Sequence, residues 1–146
     1  MPTNALGDRL SRPADADEGF DSRGYLLTVG DDGGNHVKKT QASTDQFVGV
    51  NYRSTLNLTD SAVDNGRPVA VQVDGYGPVL CEGDHEYEIG DPIYVSSTAG
   101  VGTADSDTGD ATRVGTVYDE QDLTGETGAH LVQVSFVGSA STSGGD

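Results

Sequence analysis

Apolar and polar residues alternate with a period of two in the clearest stretches of the chain. In Pro68–Asp74, Val69, Val71 and Val73 share one face, opposite Ala70 and Gln72. Leu131–Val137 repeats the pattern, with Val132, Val134 and Phe136 opposite Gln133 and Ser135. Successive side chains of a strand point to opposite faces, so each segment reads as a strand with one side buried. Further β-type runs are Tyr25–Val29, Phe47–Arg53, Pro78–Glu82, Pro92–Ser96 and Arg113–Tyr118. Turn residues separate them at the spacing of a barrel or sandwich. Gly75-Tyr76-Gly77 is expected to be a tight hairpin, because glycine accepts positive φ without steric cost. Gly90-Asp91-Pro92 should turn the chain into Ile93–Val95, and Thr98-Ala99-Gly100 should turn it out again. No window carries a helical stripe of useful length, and Ser61–Asn65 is expected to form one turn at most. The pattern predicts an all-β fold, a single small β-barrel or β-sandwich domain.

The ends differ from the middle. Residues 1–22 hold Pro2, Pro13 and only Leu6, Leu10 and Phe20 as large apolar groups after the first methionine, so they read as an extended N-terminal arm. Residues 23–137 form the predicted domain, and 138–146, with the sequence GSASTSGGD, a flexible polar tail. Through Arg23 the net charge is −2, from 3 Arg and 5 acids, and the rest of the chain carries −14. An arm of this kind would order on docking to a neighbour. A weak internal echo links Val48-Gly49 and Tyr52 to Val114-Gly115 and Tyr118, each 66 residues on. It fits two similar strands of one barrel better than a duplication, and a glycine within a strand marks a bulge or a close backbone approach.

Composition narrows the class. Of 146 residues, 34% are hydrophobic, 21 are Gly and none is Trp, so the core must be thin and built from Val, Leu, Tyr and Phe. There are 24 acidic residues against 8 basic ones, a net charge of −16, and 18 of the acids are Asp. Such a surface repels itself in dilute buffer, while at molar salt the screening length falls to roughly 3 Å. This points to a halophilic protein; a mesophilic acidic protein with a cationic partner is the competing reading. A nucleic-acid partner is not expected, since phosphates require basic charge. No apolar stretch approaches a membrane span and no signal peptide is visible, so synthesis in the cytoplasm and no membrane association are expected.

Residue chemistry offers few candidates. Asp105-Ser106-Asp107-Thr108-Gly109-Asp110 alternates carboxylates as a hard-cation loop does, but Thr116 stands where an EF-hand needs its twelfth-position Glu. A solvated acidic loop is the better reading. Asp31-Asp32-Gly33-Gly34-Asn35 reads as a hairpin turn. Cys81, His85 and His130 offer only one of the paired short spacings of a four-ligand structural zinc site, so a buried strand cysteine and two surface histidines are expected, and the lone cysteine can form no intramolecular disulfide. Neither these histidines nor His36 stand beside a Gly-x-Ser-x-Gly turn. Asn57-Leu58-Thr59 is a sequon that matters only for exported chains. Accordingly no catalytic, cofactor-binding or metal-binding residue is assigned, and an enzyme is not expected.

In order along the chain come Phe47-Val48-Gly49-Val50, then Val69–Val73 with Gly75 and Gly77. Gly90-Asp91-Pro92-Ile93-Tyr94-Val95, Thr98-Ala99-Gly100, Val114-Gly115-Thr116-Val117 and the closing run Leu131–Val137 follow. Across roughly residues 45 to 137, this order resembles the head-decoration, or capsid cement, proteins of tailed viruses. With the acidic composition, it suggests a virus infecting haloarchaea. The resemblance implies a structural virion protein on the capsid exterior that binds the major capsid protein and reinforces the lattice, has no cofactor, and forms a homotrimer at three-fold positions. The alternative is another virion or cell-surface β module, such as a tail or carbohydrate-binding component, although sugar sites favour exposed aromatic platforms and the chain has no Trp.

Overall fold

A computed structural model describes residues 9–15, 20, 22–32, 35–52, 68–104 and 109–138. They form twelve strands and, among the described residues, no helix. In chain order the strands are β1 Arg9–Pro13, β2 Leu26–Val29, β3 Val37–Lys39, β4 Gly49–Asn51, β5 Pro68–Gln72 and β6 Asp74–Glu82. Then come β7 Glu86–Tyr87, β8 Pro92–Val95, β9 Gly102–Thr103, β10 Arg113–Val117, β11 Gln121–Asp122 and β12 Ala129–Val137. Each of the seven expected β-type runs contributes to a strand.

The C-terminal strands close into a five-stranded barrel in the order β10-β12-β6-β9-β8. Its longest ladder pairs β6 with β12 antiparallel from Glu82 opposite Ala129 to Asp74 opposite Val137. The N-terminal strands form a second five-stranded sheet, β1-β5-β4-β2-β3. That sheet curls until its two edge strands touch: Ala14 bridges to Val37, and the Asp15 N–H donates to the Val37 carbonyl at 3.1 Å.

The sheet separates two apolar cores. Leu26, Phe47 and Val50 pack into the barrel interior with Val79, Ile93, Val132, Val134 and Phe136. There the Phe47 and Phe136 rings meet edge to face at 5.9 Å. The neighbouring Leu27 and Val48 instead join Ala14, Phe20, Val37, Val69, Val71 and Val73 in the second core. Adjacent residues serving opposite cores is the strand alternation at work. Both alternating valine rows predicted from sequence are buried as whole faces.

Three expectations differ from the structure or fall outside it. Gly75-Tyr76-Gly77 is not a hairpin but part of β6, paired throughout with β12. Gly75 does take a positive φ of 103°, yet the chain changes sheet just before, at Val73. The Gln72 amide donates to the carbonyls of Asp74 and Tyr76 at 3.1 and 2.9 Å, and a Cβ at Gly77 would lie 2.9 Å from Gln72 Oε1. Gly77 thus leaves room for a buried amide, and neither glycine forms a hairpin turn. Second, part of the expected arm belongs to the fold. β1 pairs with β5 from Arg9 opposite Gln72 to Pro13 opposite Pro68, and Ala14 and Phe20 are fully buried. A low count of large apolar residues hid this, because two well-placed ones anchor the segment. Third, the turn expected at Ser61–Asn65 and the sequon Asn57–Thr59 lie outside the described residues. The echo glycines do mark close approaches: a Cβ at Gly49 would lie 2.6 Å from Val71 Cγ1, and one at Gly115 would collide with the Ser135 carbonyl oxygen. They sit in different sheets, β4 and β10.

Candidate functional site

Charge is divided along the boundary between the two sheets. Residues 1–73 contain ten acidic and seven basic side chains, net −3, whereas residues 74–146 contain fourteen and one, net −13. The expected division at Arg23 therefore shifts to the point where the chain passes from sheet to barrel. Most of the barrel's described carboxylates lie in its connections, and several hold turns. Asp91 Oδ2 accepts the Glu88 N–H at 2.9 Å, and Asp84 Oδ1 accepts that of Gly125 at 3.0 Å. Asp122 accepts from the Thr124 backbone at 3.0 Å, and hydrogen bonds from Thr124 lower its pKa. Short carboxylates suit such turns because they reach their own backbone a few residues away. The same chemistry operates in the sheet, where the buried Asp15 carboxylate accepts the N–H groups of Asp31 and Asp32 at 2.7 and 3.1 Å.

The barrel wall formed by β10, β12 and β6 has a different surface. Its outward positions are Tyr76 and Pro78 on β6, Gln133, Ser135 and Val137 on β12, and Thr116 on β10, with Tyr118 just beyond. Tyr76 stands opposite Ser135, which in turn stands opposite Thr116. The Tyr76 and Tyr118 rings pack edge to face at 4.9 Å, and the Tyr118 hydroxyl donates to Gln133 Oε1 at 3.0 Å. Between Asp74 and Glu82, at the two ends of β6, none of these outward positions is charged. The barrel's only cation, Arg113, donates to Thr116 Oγ1 at 3.0 Å.

The candidate reactive residues are dispersed. Cys81 is buried in the barrel core; burial and the Glu82 charge raise its pKa, so its thiol stays protonated. His85 Nε2 lies 3.9 Å from Glu82, and His130 Nε2 is 2.8 Å from the Thr127 carbonyl. Among the described residues no three His, Cys, Asp or Glu side chains converge as metal ligands. A cleft of about 450 Å³ at this end is lined by Glu82, Asp84, Thr98, Glu126 and their neighbours. Two of its carboxylates already accept protein donors: Asp84 as above, and Glu82 from the Thr98 hydroxyl at 3.5 Å. Asp31, Asp32 and Asn35 flank the β2–β3 connection of an antiparallel pair, the hairpin expected there. Of the acidic loop Asp105–Asp110, only Gly109 and Asp110 lie within the described residues.

A β protein whose notable surfaces are walls and charged connections is built for contact. The sequence model of the phage structural cement proteins (E217 gp24/Pam3 gp6) matches residues 2–137. The chain belongs to this family. No curated protein matches it. As a phage cement protein it is a structural component of the virion that associates with the capsid and stabilises it. The resemblance read from residues 45 to 137 is thus extended by the family match to residue 2, taking in β1 and the rest of the N-terminal sheet. The family's structural role takes the place of the tail or carbohydrate-binding alternative, and it accounts for a fold whose conspicuous features are surfaces. Sequence reasoning missed the acid-free wall, although its signal was present: residues 75–81, 111–118 and 129–138 contain no acid.

Proposed function

We propose that this cement protein docks on the exterior of an assembled shell of a tailed virus infecting haloarchaea, with its N-terminal sheet against the major capsid protein. The C-terminal barrel then faces solvent, and copies associate as trimers around three-fold positions. The observation that carries this reading is the division of charge, −3 in residues 1–73 against −13 in residues 74–146. Burying a carboxylate without a partner costs several kcal/mol through lost hydration, and salt does not screen that cost as it screens distant repulsion. The surface poor in carboxylates is therefore the cheaper one to press against a shell. Each copy would bridge neighbouring capsid subunits, so removing a subunit would also break cement contacts, and repetition over the lattice multiplies a modest affinity.

Single-cysteine labelling on decorated particles tests the orientation. Arg23 and Glu120 are both exposed in the protein alone, one on each side of the charge boundary, and the native Cys81 is buried. On particles, Arg23→Cys should be protected from a water-soluble maleimide while Glu120→Cys stays reactive. The opposite pattern overturns the orientation.

A further inference from the structure

We infer that the outer wall of β10, β12 and β6 is the surface through which copies of this chain meet one another. The inference rests on the self-association proposed above and gives it a location. Among the described residues, three of the five exposed large hydrophobic residues lie on this wall: Tyr76 is 50% exposed, Tyr118 40% and Val137 64%. Between them lie Pro78, Thr116, Gln133 and Ser135, uncharged groups in the half of the chain that carries −13, with Asp74 and Arg113 at the margins. A surface meant for water on so acidic a barrel has no reason to exclude carboxylates from the middle of one face. A surface meant for contact does, because each buried unpaired carboxylate opposes association.

Strand pairing decides the kind of contact. β12 lies between β10 and β6 with both of its edges satisfied, so a partner cannot add a strand and must pack on side chains. The wall is prepared for that. The two tyrosine rings already support each other, and the Tyr118 hydroxyl is held by Gln133, so little side-chain freedom remains to be lost on docking.

Charge also selects the occupant. Two barrels of −13 can approach closely only where both surfaces lack carboxylates, and one acid-free wall meets that condition for each copy at once. A capsid subunit offering cations would favour carboxylates opposite them. The wall has none in its middle, and its one cation, Arg113, is engaged with Thr116. The acidic connections around the wall still repel one another, so self-association should strengthen as salt screens them.

Sedimentation equilibrium at about 0.2 M and about 3 M KCl on the full chain, wild type and variants, tests the assignment. The wild type should associate more strongly at the higher salt. The double variant Gln133→Asp/Ser135→Asp should weaken association by about 100-fold or more, because it places unpaired carboxylates at the contact. The control Val29→Asp, at an exposed hydrophobic residue of β2 in the other sheet, should change it by less than about 3-fold. Circular dichroism melts establish that each variant is folded. For a readout independent of fold loss, Ser135→Cys on decorated particles should be joined by a bismaleimide to a second copy of this chain. Association that ignores the wall variants overturns the face while leaving the oligomer standing. A wild type that stays monomeric at both salts overturns self-association in solution, and the particle cross-link then decides the face. Cross-linking of the Ser135→Cys variant to the major capsid protein instead assigns the wall to that partner and overturns the inference.

Discussion

Cys81 should give the protein an alkaline limit that one substitution removes. Its side chain is fully buried on β6, and burial, with the Glu82 charge added, holds the thiol proton far above the usual range. In the unfolded chain the same thiol ionises near pH 8.5, as a free cysteine does at roughly that value. The folded pKa is the higher one, so this group's contribution is complete below pH about 8.5 and declines as pH rises, because only the unfolded state releases the proton. Each further pH unit removes about 1.4 kcal/mol, and two units remove about 2.7 kcal/mol. That is a large part of the roughly 5–15 kcal/mol that holds a domain together. Tyr87, raised by burial first and by the nearby Glu82 charge as well, adds a second decline above pH about 10. Cys81→Ala should cost about 1 kcal/mol at neutral pH from lost burial. It should then hold its stability flat to pH about 9.5, so that the two curves cross near about pH 9.2. Urea unfolding followed by far-UV circular dichroism, in reductant and at half-unit pH steps, measures both curves. Parallel curves for wild type and variant across pH 8.5–10 would refute the reasoning.

Phe136→Ala should cost about 3–5 kcal/mol and lower the stability of sheet and barrel together in one transition, because Phe47, Leu26 and Val50 of the sheet share the barrel's core. Hydrogen exchange that shows the sheet retaining wild-type protection would contradict a shared core. The thermal midpoint of the wild type should rise between about 0.1 M and 3 M KCl, as the screening length shortens from about 10 Å to below about 3 Å. A flat or falling midpoint removes the halophilic reading and leaves the aspartates as turn-holders.

Where one strand carries its own alternation, the sequence was legible. Val69–Val73 and Val132–Phe136 needed no partner to be read, since their period of two already divides core from outside. The two-residue strands β7, β9 and β11, and the three-residue β3, were not legible, because pieces so short are defined by the neighbour they pair with. β1 failed for a related reason: its ladder partner β5 lies more than fifty residues away, beyond any local window. Gly75 and Gly77 misled because glycine reports tolerance of conformation or of close approach: Gly75 takes a positive φ within β6, and Gly77 leaves space for Gln72. The charge boundary and the acid-free wall were present as counts along the chain. They became surfaces only when the register placed Tyr76, Ser135 and Thr116 in one row.

The pairing of β1 with β5 also sets an order of events at the ribosome. β1 precedes the other described strands; among the described residues its ladder partner is β5, which ends at Gln72, and it touches β3 through the bridge at Ala14. Nascent β1 must therefore wait for most of the first half of the chain to be synthesised, and such non-local pairings close slowly. The core shared with the barrel waits longer still, for Phe136 near the other end of the described chain. A product terminated before β5 would present Arg9–Pro13 as a bare edge, and one terminated before β12 would lack the strand that centres the wall. Synthesis through β12 is thus a condition for closing the barrel and its shared core.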